Sequence, residues 1–365
     1  MTAIPYARQH LVDVDIDAAR RALASTWLTT GPELDAFESR LAGRVGTSHA
    51  VALSSGTAAL HALYASVGVR EGTTVVVPAL TFVGTAYPIL MLGGRIIFAD
   101  VEEEYLSIDV DALDASSGGR IDAVVVVHYA GIPADMDRIT AFARPRETLV
   151  LEDAAHAIGS TIAGRSCGSL GTAAAFSFHA VKTVTTGEGG AVTTNDPEIA
   201  TKVRRFRNHG IVRDPSDLID RDEGPWHQEM QSFGFNYRLT DFQAALGRSQ
   251  LDRLPAIIAE RQRLVSRYDV ALSGTVGIIT PKVRPGASPA WHLYPIRILE
   301  GRRRVVFERL RTAGIGVQVH YLPVYRHPVF QKLGYPEGAC PVAEQIYSEI
   351  MSLPLFVGLT DQAQD

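Results

Sequence analysis

Lys182 stands just past an apolar run, in AAFSFHAVKTVTTGEGGAVTTN (residues 174–195), and is followed by Gly187, Gly189 and Gly190. A lysine at the end of a buried strand, beside glycines that let other groups approach the backbone, suits imine formation with an aldehyde. Partial burial lowers its pKa and frees the amine. A single loop lysine is ordinarily a solvated charge, so the weight falls on its companions. LVLEDAAH (149–156) sets Glu152, Asp153 and His156 where another apolar run ends. Open α/β sheets take their ligands at the carboxyl ends of the strands. An aspartate there can be a helix N-cap, a metal ligand or the partner of a cationic heterocycle. SSGTAALHAL, from Ser54, puts Ser55, Gly56 and Thr57 between a strand and a helix. Free N–H groups and the helix dipole hold an anion at such a junction, although Ser and Thr are equally ordinary N-caps there. No P-loop and no GxGxxG fingerprint is present. PALTF closes a further run with Phe82, a ring that stacks on a flat group or fills core.

An anion cradle, a strand-end aspartate, an aromatic ring and a loop lysine at one edge of one sheet are together what pyridoxal 5'-phosphate needs. The aspartate keeps the pyridine nitrogen protonated, so that the ring can accept electrons.

The elements that position these groups are legible as apolar runs. Segments 49–54, 74–79, 95–101, 123–128, 149–153, 174–179 and 190–195 are short, and several are rich in Val and Ile without polar alternation, as strands covered on both faces should be. Helical patterns over 57–68, 82–92 and 135–143 alternate with them, after two helices at 15–25 and 33–44. This predicts an α/β domain with a mainly parallel seven-stranded sheet. From about residue 236 the pattern changes. Helices are expected at 240–254 and 256–273, broken by Pro255. A strand near 292–299, a helix near 303–313 and a strand near 316–320 then make a smaller α+β domain. The expected division is 1–250 and 251–365, and the chain stops after LPLFVGLTDQAQD, where a closing helix would be expected.

Composition narrows the class. The chain has 365 residues, long enough for two domains, with 46% hydrophobic and 21% charged residues. A net charge of -5 argues against a nucleic-acid binder. Two distant cysteines, Cys167 and Cys340, imply neither a disulfide framework nor a metal site, which fits a reducing cytoplasm. No run reaches the ~18 apolar residues of a membrane span.

The chain also resembles the nucleotide-sugar aminotransferases of the DegT/StrS type, pyridoxal-phosphate enzymes of fold type I that work as homodimers. The likeness covers nearly the whole chain and rests on TTGPELDAFE, SSGTAALHAL, PALTFVGTA, EDAAHAIGS, FSFHAVKTVTTGEGGAVTTND, RNHGI, FNYRLTDFQAALG, HLYPI and VQVHYLPVY, in that order. Within the family it is most similar to the pseudaminic-acid branch, the UDP-4-amino-4,6-dideoxy-N-acetyl-β-L-altrosamine transaminase type, through FSFHAVK, TTGEGG and VQVHYLPVY.

The resemblance implies roles residue by residue. Lys182 is the Schiff-base lysine and Asp153 the partner of the pyridine nitrogen. Phe82 stacks on the ring, Ser55, Gly56, Thr57 and Ser177 hold the phosphate, and His156 lies near the ring hydroxyl. Asn236 reaches the phosphate of the neighbouring subunit, which puts the active site at a dimer interface. Thr30, His320 and Tyr321 fall on the substrate side. The implied reaction moves an amino group from an amino acid, L-glutamate by analogy, to a nucleotide-linked 4-keto-6-deoxy sugar. Lys182 acts as general base and then acid. Amination at C3, or of another keto-sugar or cyclitol, is the alternative within the family. The family's sugar 3-dehydratases carry histidine in place of this lysine, so Lys182 favours transamination. A non-catalytic cofactor-binding regulator finds no helix-turn-helix or basic tail to support it. A metal-dependent hydrolase built on Glu152, Asp153 and His156 is the reading that remains if the resemblance is set aside.

Overall fold

The computed structural model describes residues 3–116 and 119–365. Seven strands form the central sheet: β1 (His49–Leu53), β2 (Thr74–Pro78), β3 (Arg95–Ala99), β4 (Ala123–Val127), β5 (Leu149–Asp153), β6 (Ala173–Ser177) and β7 (Gly190–Thr194). Their spatial order is β1-β7-β6-β5-β4-β2-β3. The β2–β3, β2–β4, β4–β5 and β5–β6 pairs are parallel, whereas β7 runs antiparallel to both β1 and β6. The expected mainly parallel α/β sheet is what forms, and the structure adds β7 as its antiparallel member.

Both sheet faces are dry, which is why the strands read as unbroken apolar runs. Val51, Leu53, Val75, Val77, Val125, Leu151 and Val192 face one buried cluster. Their chain neighbours Ala50, Ala52, Phe176 and Ala191, and Val76, Val124, Val126 and Val150, face two others. Each of the Val, Leu and Phe side chains among them, fully buried, contributes ~1.5–3 kcal/mol.

The helices are α1 (Asp13–Leu23), α2 (Pro32–Val45), α3 (Gly56–Ser66), α4 (Tyr87–Met91), α5 (Val110–Ser116), α6 (Met136–Ala143), α7 (Pro197–Phe206), α8 (Asp241–Leu272), α9 (Arg303–Thr312), α10 (Pro328–Lys332), α11 (Pro341–Glu349) and α12 (Asp361–Gln364). The helix expected over 82–92 is instead a 3₁₀ turn, Val83–Thr85, followed by the short α4. The segments of α5 and α7 had no expected helix. The closing helix is the four-residue α12.

Two expectations are overturned. Pro255 does not divide two helices, because α8 runs through it for 32 residues. Proline costs the N–H that would bond the carbonyl one turn back. Here that carbonyl, Leu251 O, accepts instead from Arg44 Nη2 of α2 at 3.2 Å. The expected boundary at 250/251 therefore falls inside a continuous helix. The second is the strand near 316–320, which is only a single bridge between Gln318 and Ser352. A three-stranded sheet is built without it from β8 (Ile278–Ile279), β9 (Tyr294–Ile298) and β10 (Ile350–Leu353), in the order β8-β9-β10.

The N-terminal stretch is stitched to this C-terminal region. Ile4 N donates to Gly314 O at 2.9 Å, Gly316 N to Ile4 O at 2.6 Å and Leu355 N to Tyr6 O at 3.1 Å. Among the described residues no helix is long and apolar enough to cross a membrane.

Candidate active site

The carboxyl ends of β4, β5 and β6 and the N-terminus of α3 open on one cavity of about 470 Å³, inside the ~300–1,000 Å³ range of small-ligand sites. Ten of the residues expected from the sequence line it: Ser55, Gly56, Thr57, Phe82, Asp153, His156, Ser177, Lys182, His320 and Tyr321.

Ser55 caps α3, its Oγ accepting from Ala58 N at 3.0 Å. The hydroxyl is thus used locally, and the first amides of the helix are left to face the cavity. Backbone crowding explains the glycine that follows: a Cβ on Gly56 would sit 2.7 Å from Ser177 Cβ. The missing side chain lets the end of β6, with Ser177, close on the start of α3. The result is a cradle of amides and hydroxyls at the positive end of an eleven-residue helix, suited to a phosphate.

Asp153 ends β5 and is 5% exposed. Its Oδ1 accepts from Ala155 N at 3.1 Å and its Oδ2 from Thr85 Oγ1 at 2.7 Å. Lys182 lies in the turn after β6, where its amide donates to His179 O at 2.9 Å. Its Nζ makes no hydrogen bond or ion pair with a described residue, which leaves the amine available. Burial lowers the ammonium to about 8 against an ordinary 10.5, with the Asp153 charge opposing the fall. An amine so tuned is a nucleophile near neutral pH.

Three histidines surround it in neutral form. Burial, and then the Lys182 charge, hold His156 and His292 well below the usual range and His320 at about 4. His156 Nδ1 accepts from Ala130 N at 3.3 Å, so Nε2 carries the proton, 3.4 Å from Tyr321 Oη. The rings of His156 and His292 are 4.4 Å apart. Arg261 of α8 holds the His292 segment by donating to Trp291 O at 3.0 Å. Phe82 is 53% exposed for so large an apolar ring and lies 5.8 Å from the Tyr321 ring. That exposure suits a ring waiting for a flat partner, not one filling core.

Asn236 and Thr30 are not brought into this cavity. Both are exposed, with Asn236 bridged to Asn208 and Thr30 next to the Thr29–Thr240 bridge. The cavity also gathers residues that had no expected role, among them Tyr6, Thr81, Thr85, Glu188, His292 and Gln318. All of these but Tyr6 lie inside the motifs that carry the resemblance (PALTFVGTA holds Thr81 and Thr85, TTGEGG Glu188, HLYPI His292 and VQVHYLPVY Gln318), yet none had been given a role. Tyr6 arrives from the N-terminal stretch, its ring 5.8 Å from that of His320.

Glu152 is on the opposite side of the sheet from Asp153, since successive strand residues alternate. Its Oε1 accepts from Leu170 N and Gly171 N, both at 2.7 Å, and its Oε2 from Gly168 N at 2.6 Å and His128 Nε2 at 2.9 Å. Glu152 is a clamp on the loop before β6, which removes it from any metal set with Asp153 and His156. Glu152→Gln would turn an amide N–H toward one of these donors. It is expected to cost about 3 kcal/mol, read as a lower urea midpoint, while the cavity residues stay as they are.

The cavity fits pyridoxal phosphate on observations of its own: a phosphate cradle closed by Gly56, an unpartnered lysine of lowered pKa, and a buried carboxylate with a lone pair to spare.

The DegT/DnrJ/EryC1/StrS aminotransferase family profile matches residues 10–365. The spore coat polysaccharide biosynthesis protein SpsC of Bacillus subtilis (strain 168) is 39% identical over 368 residues, covering 99% of this chain and 94% of SpsC. The structure of Helicobacter pylori PseC, an aminotransferase involved in the biosynthesis of pseudoaminic acid, superposes with a TM-score of 0.93 at 30% identity, covering 100% of this chain and 96% of PseC. The PLP form of the putative sugar aminotransferase Spr1654 from Streptococcus pneumoniae gives a TM-score of 0.93 at 28% identity, covering 100% of this chain and 96% of its own.

Proposed function

From the premise that the chain belongs to the DegT/DnrJ/EryC1/StrS aminotransferase family, and is therefore a pyridoxal-phosphate-dependent sugar aminotransferase of fold type I, we propose that it carries an amino group from L-glutamate to C4 of a nucleotide-linked 4-keto-6-deoxy sugar. The observation that carries this reading is the free amine of Lys182 and the carboxylate of Asp153 on one cavity with an anion cradle. The likeness to PseC supports a deoxyamino-sugar product of the pseudaminic-acid type.

The bound cofactor supplies an aldehyde that carries the amino group and a ring that withdraws electrons. The chain's own groups do the rest. Amides of Gly56 and Thr57, with the Ser55 and Ser177 positions, hold the phosphate. Phe82 would supply an aromatic face for the ring, and His156 would lie near the ring hydroxyl. Asp153 holds the proton on the ring nitrogen. Lys182 Nζ takes a proton from the donor's α-carbon in the first half-reaction and delivers one to the sugar carbon in the second. Phe82, Tyr321 and His320 shield that proton from water, and the buried neutral histidines add no charge to compete with it.

The sugar lies on the side walled by Tyr6, His320 and Tyr321. Tyr6 Oη makes no hydrogen bond with a described residue, which leaves it for a sugar hydroxyl. Tyr6→Ala is expected to raise KM for the nucleotide sugar about tenfold with KM for L-glutamate within about twofold. Equal effects on both would remove Tyr6 from the sugar side.

We take the working unit to be a homodimer. The support is where Thr30 and Asn236 lie, outside their own cavity and flanked by Trp27 at 54%, Leu28 at 52%, Phe233 at 86% and Phe235 at 42% exposure. Apolar surface of that kind marks an interface, and Asn236 would serve the partner's phosphate from it. Residues 1–250 form the cofactor-binding domain and 251–365 the smaller one, joined through α8. The reaction belongs in the cytoplasm, where the buried thiols of Cys167 and Cys340 stay reduced.

The test is to incubate the protein with L-glutamate and a panel of UDP- and dTDP-linked 3-keto and 4-keto sugars, and to read products by mass. A 4-amino product with 2-oxoglutarate is expected. A 3-amino product would move the site of amination, and release of ammonia would make the protein a dehydratase.

A further inference from the structure

The oxygen of Asp153 that does not bond Ala155 is held by a hydroxyl, not by a cation. Thr85 Oγ1 lies 2.7 Å from Asp153 Oδ2 and 2.8 Å from Thr81 Oγ1. Thr81 and Thr85 are 2% and 1% exposed. A hydroxyl has one proton to give. Thr85 gives its proton to the carboxylate, so the bond between the two threonines runs from Thr81 to Thr85. The pair is therefore polarised toward Asp153, and a hydroxyl donating to a carboxylate is the strong, charge-assisted kind.

The backbone holds Thr85 in that orientation. Its amide donates to Phe82 O at 3.0 Å in the 3₁₀ turn, and its carbonyl accepts from Tyr64 Oη of α3 at 2.8 Å. One turn, 81–85, thus carries the exposed Phe82 ring at one end and the donor to Asp153 at the other. It is tied to the helix whose N-terminus forms the phosphate cradle.

We propose that Thr85, backed by Thr81, is a positioning residue that fixes Oδ2 of Asp153 and replaces the water lost on burial, so that the carboxylate stays charged and presents its free lone pair to the cofactor's ring nitrogen. The proposal rests on the role given to Asp153 above. A carboxylate taken out of water needs such donors to keep its charge. Although both threonines line the cavity, their hydroxyls are turned to each other and to Asp153, so the effect of losing either hydroxyl passes through Asp153.

Three variants test it: Thr85→Val, which keeps the shape and loses the hydroxyl; Thr85→Ser, which keeps the hydroxyl; and Thr81→Val, which removes the backing. Thr85→Val is expected to lower kcat about 10- to 100-fold, with both KM values within about twofold. It should weaken cofactor binding to stripped protein about tenfold, read by fluorescence titration. Thr85→Ser should restore kcat and cofactor affinity to within about threefold, and Thr81→Val should fall between. In an Asp153→Asn background the Thr85→Val effect should vanish. Wild-type kcat and cofactor affinity in Thr85→Val would overturn the proposal, as would failure of Thr85→Ser to rescue or full additivity in the double variant. If Asp153→Asn by itself changes nothing, the role of Asp153 fails first.

Discussion

Replacing Lys182 with alanine is expected to abolish turnover, by roughly 10⁴-fold, without unfolding the protein. The reason lies in what Lys182 does and does not touch. Its Nζ has no partner among the described residues and lines the cavity, so no buried bond is lost with it. Among the described residues its amine is the only lysine nitrogen on that cavity, so no neighbour takes over the proton transfer. Borohydride reduction of the wild-type holoenzyme should leave the cofactor's mass on the peptide containing Lys182, and Lys182→Ala should bind cofactor without retaining it. Cofactor mass on any other lysine would remove Lys182 from the centre of the reaction. The lowered pKa adds a pH signature. The neutral amine is the reactive form, so capture of cofactor by stripped protein should rise with pH and be half-maximal near about 8. A midpoint near 10.5, the ordinary lysine value, would mean that burial does not tune this amine.

Asp153→Asn is expected to lower kcat about 10²- to 10³-fold and to weaken cofactor binding, with little change in stability. Asparagine keeps the shape and can still accept from Ala155 N, but it carries no charge to hold a proton on the ring nitrogen. Its amide also sets N–H groups against the Thr85 hydroxyl that now donates to Oδ2. Cofactor titration and steady-state kinetics at several pH values check this. Wild-type kcat across the profile would show that the ring needs no anionic partner here. The contrast with Glu152→Gln is informative, because two adjacent carboxylates on one strand are expected to fail in opposite ways. One loses stability and the other chemistry, since β5 turns Glu152 toward four protein donors and Asp153 toward the cavity.

Much of this site was legible before any coordinates, for a local reason. A buried parallel strand is an apolar run of about five residues, and in an open α/β sheet the residue after it faces the ligand. Lys182, Asp153, Ser55 and Ser177 each sit within a few residues of such a run, so their place on the sheet edge follows from short-range pattern. Helix ends were weaker signals. Pro255 reads as a break because proline removes a donor, yet the acceptor it leaves is met by Arg44, some two hundred residues earlier in the chain. Nothing near Pro255 announces that.

What the amino-acid sequence alone determined was therefore the seven strands of the central sheet, the chemical groups at their carboxyl ends and, through the resemblance, the family and its cofactor. The tertiary structure decided who meets whom. Tyr6 joins His320 because the N-terminal stretch bonds to Gly314 and Gly316, and Thr85 joins Asp153 because β2 and β5 flank β4 in the sheet. Glu152 and Asp153 part company because adjacent strand side chains point to opposite faces. Contacts of this kind depend on strand order and on segments far apart in the chain, and local propensity holds no record of either.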